Sequence, residues 1–406
     1  MLFRSLTLTS GGLLATGADA FTIAAGTLAG GNGSGAFDLV IHQYNTGGLT
    51  ISSVIGNNGA NATNLTKAGP GALILSGANT HTGGTRLTSG TLVINNAAAL
   101  GATASRFTID PGTTIDNTSG AAASSLTLSS NNPQTWNGNF TYLGTGGRSL
   151  NMGTGAITLG NDVNLAVNGG TLTVGAITGN QFGLTKSGTD TLAFTNVTNS
   201  FSGPFTVAQG SVTGNGSNMP NTDIILADVA GAGITLSNNA ATIQSLAGGG
   251  SSGGNLQLAS DLTISGNAST TYGGVLSVGS SGWTFNKNGL GTLTLTNANN
   301  SFSNNTRVNQ GTLAFTSVGA LGTGSTITIN NNGSGDSGRL AYSANGNTTL
   351  SRAITVSNGL GTVSNLGSGT LTLSGTLTKN GTILRLNQGI FNVSGRITGA
   401  NANSDL

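Results

Sequence analysis

Leu65-Thr66-Lys67-Ala68-Gly69-Pro70-Gly71-Ala72-Leu73-Ile74-Leu75-Ser76-Gly77-Ala78-Asn79, followed by Thr82-Gly83-Gly84-Thr85 and Gly90-Thr91-Leu92, is the stretch on which the fold turns. Its plan recurs. Phe285-Asn286-Lys287-Asn288-Gly289 leads into Gly291-Thr292-Leu293-Thr294-Leu295, Asn299-Asn300-Ser301-Phe302 and Gly311-Thr312-Leu313. Leu184-Thr185-Lys186-Ser187-Gly188 leads into Thr191-Leu192-Ala193-Phe194, Asn199-Ser200-Phe201-Ser202-Gly203 and Gly210-Ser211-Val212. A degenerate unit starts at Leu377-Thr378-Lys379-Asn380-Gly381. Lysine occurs four times in the chain, at 67, 186, 287 and 379, and each stands at the same place in this motif. Long self-similar units are the signature of a repeat architecture.

A shorter period lies inside the long one. Leu73 and Leu92 are 19 residues apart, Leu293 and Leu313 are 20 apart, and Leu172, Leu192 and Val212 follow each other at 20. Alternation such as Thr91-Leu92-Val93-Ile94 puts Leu92 and Ile94 on one face of a strand and Thr91 and Val93 on the other. The same in-and-out text recurs in Phe107-Thr108-Ile109, Ile157-Thr158-Leu159, Leu262-Thr263-Ile264, Ile327-Thr328-Ile329 and Leu371-Thr372-Leu373. Glycine and asparagine cluster between these units, where turns need positive φ. A hairpin array would pair unlike neighbours every 8–12 residues; like units at about 20 residues favour parallel coils. The sequence therefore predicts an all-β, right-handed, single-stranded parallel β-helix (a β-solenoid) with coils of about 20 residues, one continuous helix over 1–406, and roughly 20 coils in all. Repeat units are expected at 65–92, 184–212, 285–313 and, degenerate, from 377. Asn57-Asn58, Asn131-Asn132, Asn238-Asn239 and Asn304-Asn305 are expected to stack as amide ladders along the axis. The run Gly248-Gly249-Gly250-Ser251-Ser252-Gly253-Gly254 reads as a loop protruding from one coil, not as a domain boundary.

Composition agrees. The 406 residues include 69 glycines, no cysteine and no glutamate, and only 6% are charged, with a net charge of +2. Disordered chains of low hydrophobicity usually carry high net charge, and β-branched residues with small polar ones suit a pleated surface. Scarcity of Glu and Lys, both good helix formers, argues against any sizeable helix. Nine scattered arginines do not form the basic stripe that nucleic acid requires, so no nucleic-acid partner is expected. No stretch approaches the roughly 20 apolar residues of a membrane helix. Met1-Leu2-Phe3-Arg4-Ser5 does not read as a signal peptide, and Asn401-Ala402-Asn403-Ser404-Asp405-Leu406 carries no terminal cap; the expectation is a fragment of a longer gene product.

At the Leu-Thr-Lys-x-Gly units the sequence resembles the autotransporter-associated β-strand repeat, also called the passenger-associated transport repeat. Residues 65–92 follow that family's consensus nearly throughout, with His81 where the family has tyrosine. Phe302 and Phe201 take that aromatic place in the other copies, Asn304-Asn305 replace glycines, and Asp190 replaces another. The resemblance implies a right-handed β-helix passenger of an autotransporter, exported through the outer membrane of a Gram-negative-type bacterium and shown at the cell surface. It associates the repeat with secretion, not with a catalytic site; a non-catalytic scaffold or adhesin is expected, with a C-terminal translocator barrel outside this chain, and a module that binds extracellular glycans or a host or matrix surface is an alternative.

Candidate chemistry is sparse. A carbohydrate-active β-helix, lyase or hydrolase, is the alternative, and its acids would be Asp110, Asp116 or Asp336, with Asp223 and Asp228 as a further pair; two carboxylates at a defined separation are the minimum for glycoside hydrolysis. Aspartates at strand ends more commonly cap backbone. His42 and His81 are the only histidines, so no transition-metal cluster can be drawn, and His81, in an aromatic position, is expected to stack. Gly333-Ser334-Gly335-Asp336 is a single partial copy of a calcium-binding nonapeptide. Trp136 and Trp283 offer surfaces for sugars but are more often core or coil-edge residues. The lysine register reads either as a row of ligand-binding cations or, as we favour, as one solvated lysine at each turn with its stem on apolar surface. No catalytic, cofactor or metal residue is assigned.

Overall fold

The computed structural model describes residues 5–195, 198–279, 283–330, 337–357, 359–379 and 382–399. The described residues form short strands and turns, with three 3-10 turns (Thr145–Gly147, Gly216–Asn218 and Val318–Leu321) and no α-helix. Among the described residues every inter-strand ladder is parallel, and a strand inside a sheet pairs with its counterparts one coil earlier and one coil later. This is a β-solenoid. It divides into two compact units, Met1–Gly203 with Gly210–Val212, and Pro204–Gln209 with Thr213–Leu406.

In the first unit one face carries eight strands in succession, among them Phe37–Gln43, Thr63–Ala68, Thr85–Leu87, Phe107–Ile109 and Gln134–Trp136. A second face begins with Phe21–Ile23, Leu49–Ile51, Ala72–Leu75 and Thr91–Ile94 and reaches Val163–Val167 and Leu184–Ser187. A third face includes Ser125–Thr127, Ser149–Asn151, Thr171–Val174 and Thr191–Phe194. The second unit repeats the arrangement. One face runs through Phe285–Lys287, Thr306–Val308, Thr326–Ile329, Ala353–Val356 and Leu377–Lys379. Another runs through Thr292–Leu295, Thr312–Phe315, Arg339–Tyr342, Leu360–Asn365 and Ile383–Asn387.

The core follows from register. Leu49, Leu73, Leu92 and Ile115 stand over one another on successive coils and are fully buried. So do Leu293, Leu313, Leu340 and Val363 in the second unit. Threonines between them point outward, as the period-2 text requires. Burying each such side chain is worth about 1.5–3 kcal/mol. The buried tryptophans belong to this core: Trp136 lies edge-on to Phe140 at 5.0 Å, and Trp283 stacks on Phe302 at 5.2 Å.

Three expectations are corrected. Coil length is about 20 residues in the repeat copies, as in Thr292 under Thr312, and in several coils outside them, as in Ile157 under Ile177 and Leu256 under Leu276. Elsewhere coils are longer, with Phe21 under Leu49 and Leu313 under Leu340, because turns take up the extra residues. The paired asparagines do not stack. Asn58 Nδ2 donates to Gly31 O at 3.0 Å, Asn132 Nδ2 donates to Ala102 O at 2.8 Å, and Asn131 and Asn238 hold left-handed backbone with φ of 45° and 52°. An amide ladder does exist, at other positions: Asn309 Nδ2 donates to Asn288 Oδ1 at 2.7 Å, and Asn330 Nδ2 donates to Asn309 Oδ1. The glycine run at 248–254 is a turn pinned to the coil beneath, since Asp228 Oδ1 accepts the N–H groups of Ser252 and Gly253 at 2.7 and 3.0 Å.

Candidate functional site

The residues that define the repeat are inside the molecule. In the strand Thr63–Ala68, Leu65 and Lys67 point inward and Thr66 sits between them at the surface side. Lys67 and Lys186 have no exposed surface, Lys287 is 1% exposed and Lys379 3%. Their neighbours in register are ordinary core residues. Ile41 and Leu87 flank Lys67, Leu165 lies under Lys186, Ile264 and Val308 flank Lys287, and Val356 lies under Lys379. The solvated-lysine expectation is therefore wrong, and so is a surface row of cations. Lys67 and Lys186 do not even share a face: the first stands on the face of Phe37–Gln43, the second on that of Val163–Val167.

The ammonium groups of Lys67, Lys186 and Lys287 meet backbone carbonyls of the turn that follows. Lys67 Nζ donates to Ala68 O at 3.2 Å, Gly69 O at 2.6 Å and Ser89 O at 2.9 Å, the last on the next coil. Lys186 Nζ donates to Ser187 O at 2.9 Å and Gly188 O at 2.8 Å, and Lys287 Nζ donates to Gly289 O. Three N–H donors against converging carbonyls satisfy an ammonium without a counter-ion. The glycine two places on is required by the same turn. Gly69 and Gly188 have φ of +80° and +76°, and a Cβ on Gly69 would lie 2.5 Å from Gln43 O. Burial lowers the pKa of Lys67, Lys186 and Lys287 to about 8, so at neutral pH all three remain mainly protonated. In this state their ammonium groups donate to the turn carbonyls.

The repeat asparagine is the second buried polar group. Asn79 Oδ1 accepts Ile55 N–H from the preceding coil at 2.8 Å, and its Nδ2 donates to Ala99 O of the following coil at 2.6 Å. Asn300 does the same with Leu276 N–H at 2.8 Å and Ala320 O at 2.7 Å. Asn199 Oδ1 accepts Ile177 N–H at 2.8 Å. One side chain thus joins the backbones of three successive coils. The aromatic place completes the corner: Phe302 lies between Trp283 and Phe285, at 5.2 and 5.5 Å, and Phe201 is buried. His81 is held differently, by a 3.0 Å hydrogen bond between Nε2 and Thr85 Oγ1. Desolvation lowers its pKa to about 4, so it is neutral at physiological pH. Outside the repeats Arg352 uses the lysine's device, its guanidinium donating to Leu321 O at 2.6 Å and to Gly322 O.

Asp110, Asp116, Asp223 and Asp228 each have structural partners. Asp110 pairs with Arg86 Nε at 2.8 Å and accepts Asn137 Nδ2 at 2.8 Å. Asp116 is buried at the end of the strand Thr113–Asp116, where Oδ1 accepts Asn117 N–H and Thr145 N–H and Oδ2 accepts Thr145 Oγ1. Asp223 accepts Ser245 Oγ at 2.6 Å. Asp336, with Gly333-Ser334-Gly335, lies outside the described residues. Among the described residues no group of three His, Cys, Asp or Glu side chains stands close enough to hold a metal ion. No described helix is long and apolar enough to cross a membrane. Trp136 and Trp283 are buried and offer no face to a sugar.

Comparison with known proteins accounts for the buried units. Residues 65–94, 184–213 and 285–315 match the family model of the passenger-associated transport repeat. Over 84 residues, 20% of this chain, the sequence is 44% identical to the adhesin BmaC autotransporter of Brucella suis biovar 1 (strain 1330). The matched segment spans 2% of that much longer protein. No solved structure matches the chain.

Proposed function

We propose that this chain, which carries three passenger-associated transport repeats, is a stretch of the passenger of an autotransporter-like surface protein, exported across an outer membrane and acting as a non-catalytic scaffold that presents its outer faces. The observation that supports this reading most is the direction of the repeat's polar residues. A catalytic or ligand-binding repeat would turn its Lys and Asn toward solvent. Here Lys67, Lys186, Lys287, Asn79, Asn199 and Asn300 are buried and bond to backbone. The repeated chemistry therefore serves coil-to-coil cohesion. An adhesin role, with glycans or matrix as partner, fits the name of the relative and belongs to the outer surface instead.

Display in bacteria tests the proposal. The chain is placed between a signal peptide and a translocator barrel, and surface exposure is read by antibody labelling with protease shaving. The expected result is display of a protease-resistant product, reduced severalfold in a Lys67→Met, Lys186→Met, Lys287→Met triple variant. Retention of the wild-type chain in the periplasm, or turnover of acidic or neutral polysaccharides by the purified chain, would contradict the proposal.

A further inference from the structure

The charges of the sequence are unevenly placed. Up to Asp261 there are nine acids and six bases; beyond it there are seven bases and two acids, Asp336 and Asp405. Two of those bases meet on one outer face of the second unit. Thr312, Arg339, Thr362 and Arg385 stand over one another on four successive coils. Their neighbours Leu313, Leu340 and Val363 fill the core, so the row points away from it, with Arg385 exposed, Thr312 and Arg339 half-buried and Thr362 covered between the arginines. Arg339 and Arg385 are two coils apart, about 10 Å at the spacing of paired strands.

The two arginines line a cleft of about 300 Å³ with Ser337, Thr362 and Asn387, and Leu290, 48% exposed, forms an apolar edge. Arg339 is pre-oriented: Nε donates to Ser364 Oγ at 2.7 Å and Nη2 donates to Gln388 Oε1 at 2.7 Å. Arg385 is exposed and has no hydrogen-bond or ion-pair partner among the described residues. No carboxylate lines the cleft among the described residues. Planar guanidinium forks match carboxylate and sulfate oxygens in a bidentate way, Thr312, Ser337 and Asn387 on the cleft wall suit sugar hydroxyls, and the apolar edge suits a sugar's C–H face.

We propose that this cleft binds an acidic polysaccharide, with anionic groups on alternate sugars seated on Arg339 and Arg385. The proposal rests on the reading of the chain as a surface scaffold and gives one of its outer faces a ligand class. The test is surface plasmon resonance of the whole chain over immobilised heparin (sulfated), polygalacturonate (carboxylated), dextran (neutral) and polyglutamate. Binding to heparin, polygalacturonate or both, weakened at least tenfold by Arg385→Gln and further by the Arg339→Gln, Arg385→Gln double variant, is expected, with Arg86→Gln unchanged; the tighter of the two polysaccharides identifies the anionic group. Arg385 is exposed, so Arg385→Gln should leave the melting temperature unaltered. Equal binding to dextran or polyglutamate, indifference to both variants, or no binding to any polysaccharide would overturn the proposal. If the chain is still displayed at the surface in those cases, only the cleft assignment fails.

Discussion

A lysine in a core position needs an account of every donor. Lys67 has three acceptors and an aliphatic stem packed between Ile41 and Leu87. Lys67→Met keeps the stem but leaves the carbonyls of Gly69 and Ser89 unpaired inside the molecule. Each such loss costs about 1–3 kcal/mol, so a decrease of that order in unfolding free energy is expected in urea titrations; Lys67→Ala adds a cavity and should cost more. The pH dependence has a definite sign. Folded Lys67, Lys186 and Lys287 titrate near 8, against an ordinary value of 10.5. Between those values the unfolded chain holds more protons than the folded one, so their contribution to stability rises with pH across that window and is constant below it. Melting curves of the wild type and the triple methionine variant, recorded from pH 7.5 to 10.5, should diverge in that direction. A wild type that loses stability relative to the variant as pH rises would contradict it. Part of this was legible beforehand. The alternation that puts Leu92 and Ile94 on one face also puts Lys67 with Leu65, and only the charge argued otherwise. What the sequence could not show is the ring of turn carbonyls that makes burial tolerable, because those atoms come from two coils.

At the scale of strands and turns, the repeat is a device for joining coils. Asn300 replaces two backbone bonds at a corner where neighbouring coils do not pair as strands, accepting from Leu276 and donating to Ala320. Asn300→Ala would leave a buried N–H and a buried C=O without partners, a loss of about 2–4 kcal/mol. Its local signature is faster hydrogen exchange at Leu276 and unchanged exchange at Leu373, which pairs several coils away. Exchange at Leu276 equal to wild type would remove the asparagine from this role. The strands themselves were readable from period-2 text, as in Leu262–Ile264 and Thr326–Ile329. Coil length was not, since insertions fall in turns, as between Leu313 and Leu340, without disturbing the alternation. Asparagine pairs misled for a related reason: Asn131 and Asn238 adopt positive φ to make turns, whereas the true amide ladder at Asn288, Asn309 and Asn330 follows strand ends that share one register.

At the scale of the molecule, parallel coils explain how a chain with 6% charged residues and no cysteine holds together. Each coil contributes a layer of Leu, Ile and Val to the core, and neighbours supply the backbone partners. The cleft at Arg339 and Arg385 was not foreseeable from composition, because the two residues are 46 positions apart and meet only when Thr312, Arg339, Thr362 and Arg385 come into register. The central claim is that the repeat's polar residues are interior, and the lysine count makes it directly measurable. All four lysines of the chain are buried, so intact-mass spectrometry after brief treatment with an amine-reactive ester reports on every repeat at once. Native protein should gain a label at the terminal amine alone, and protein labelled in denaturant should gain four more. Rapid native labelling of the lysines would place them in solvent and contradict the account.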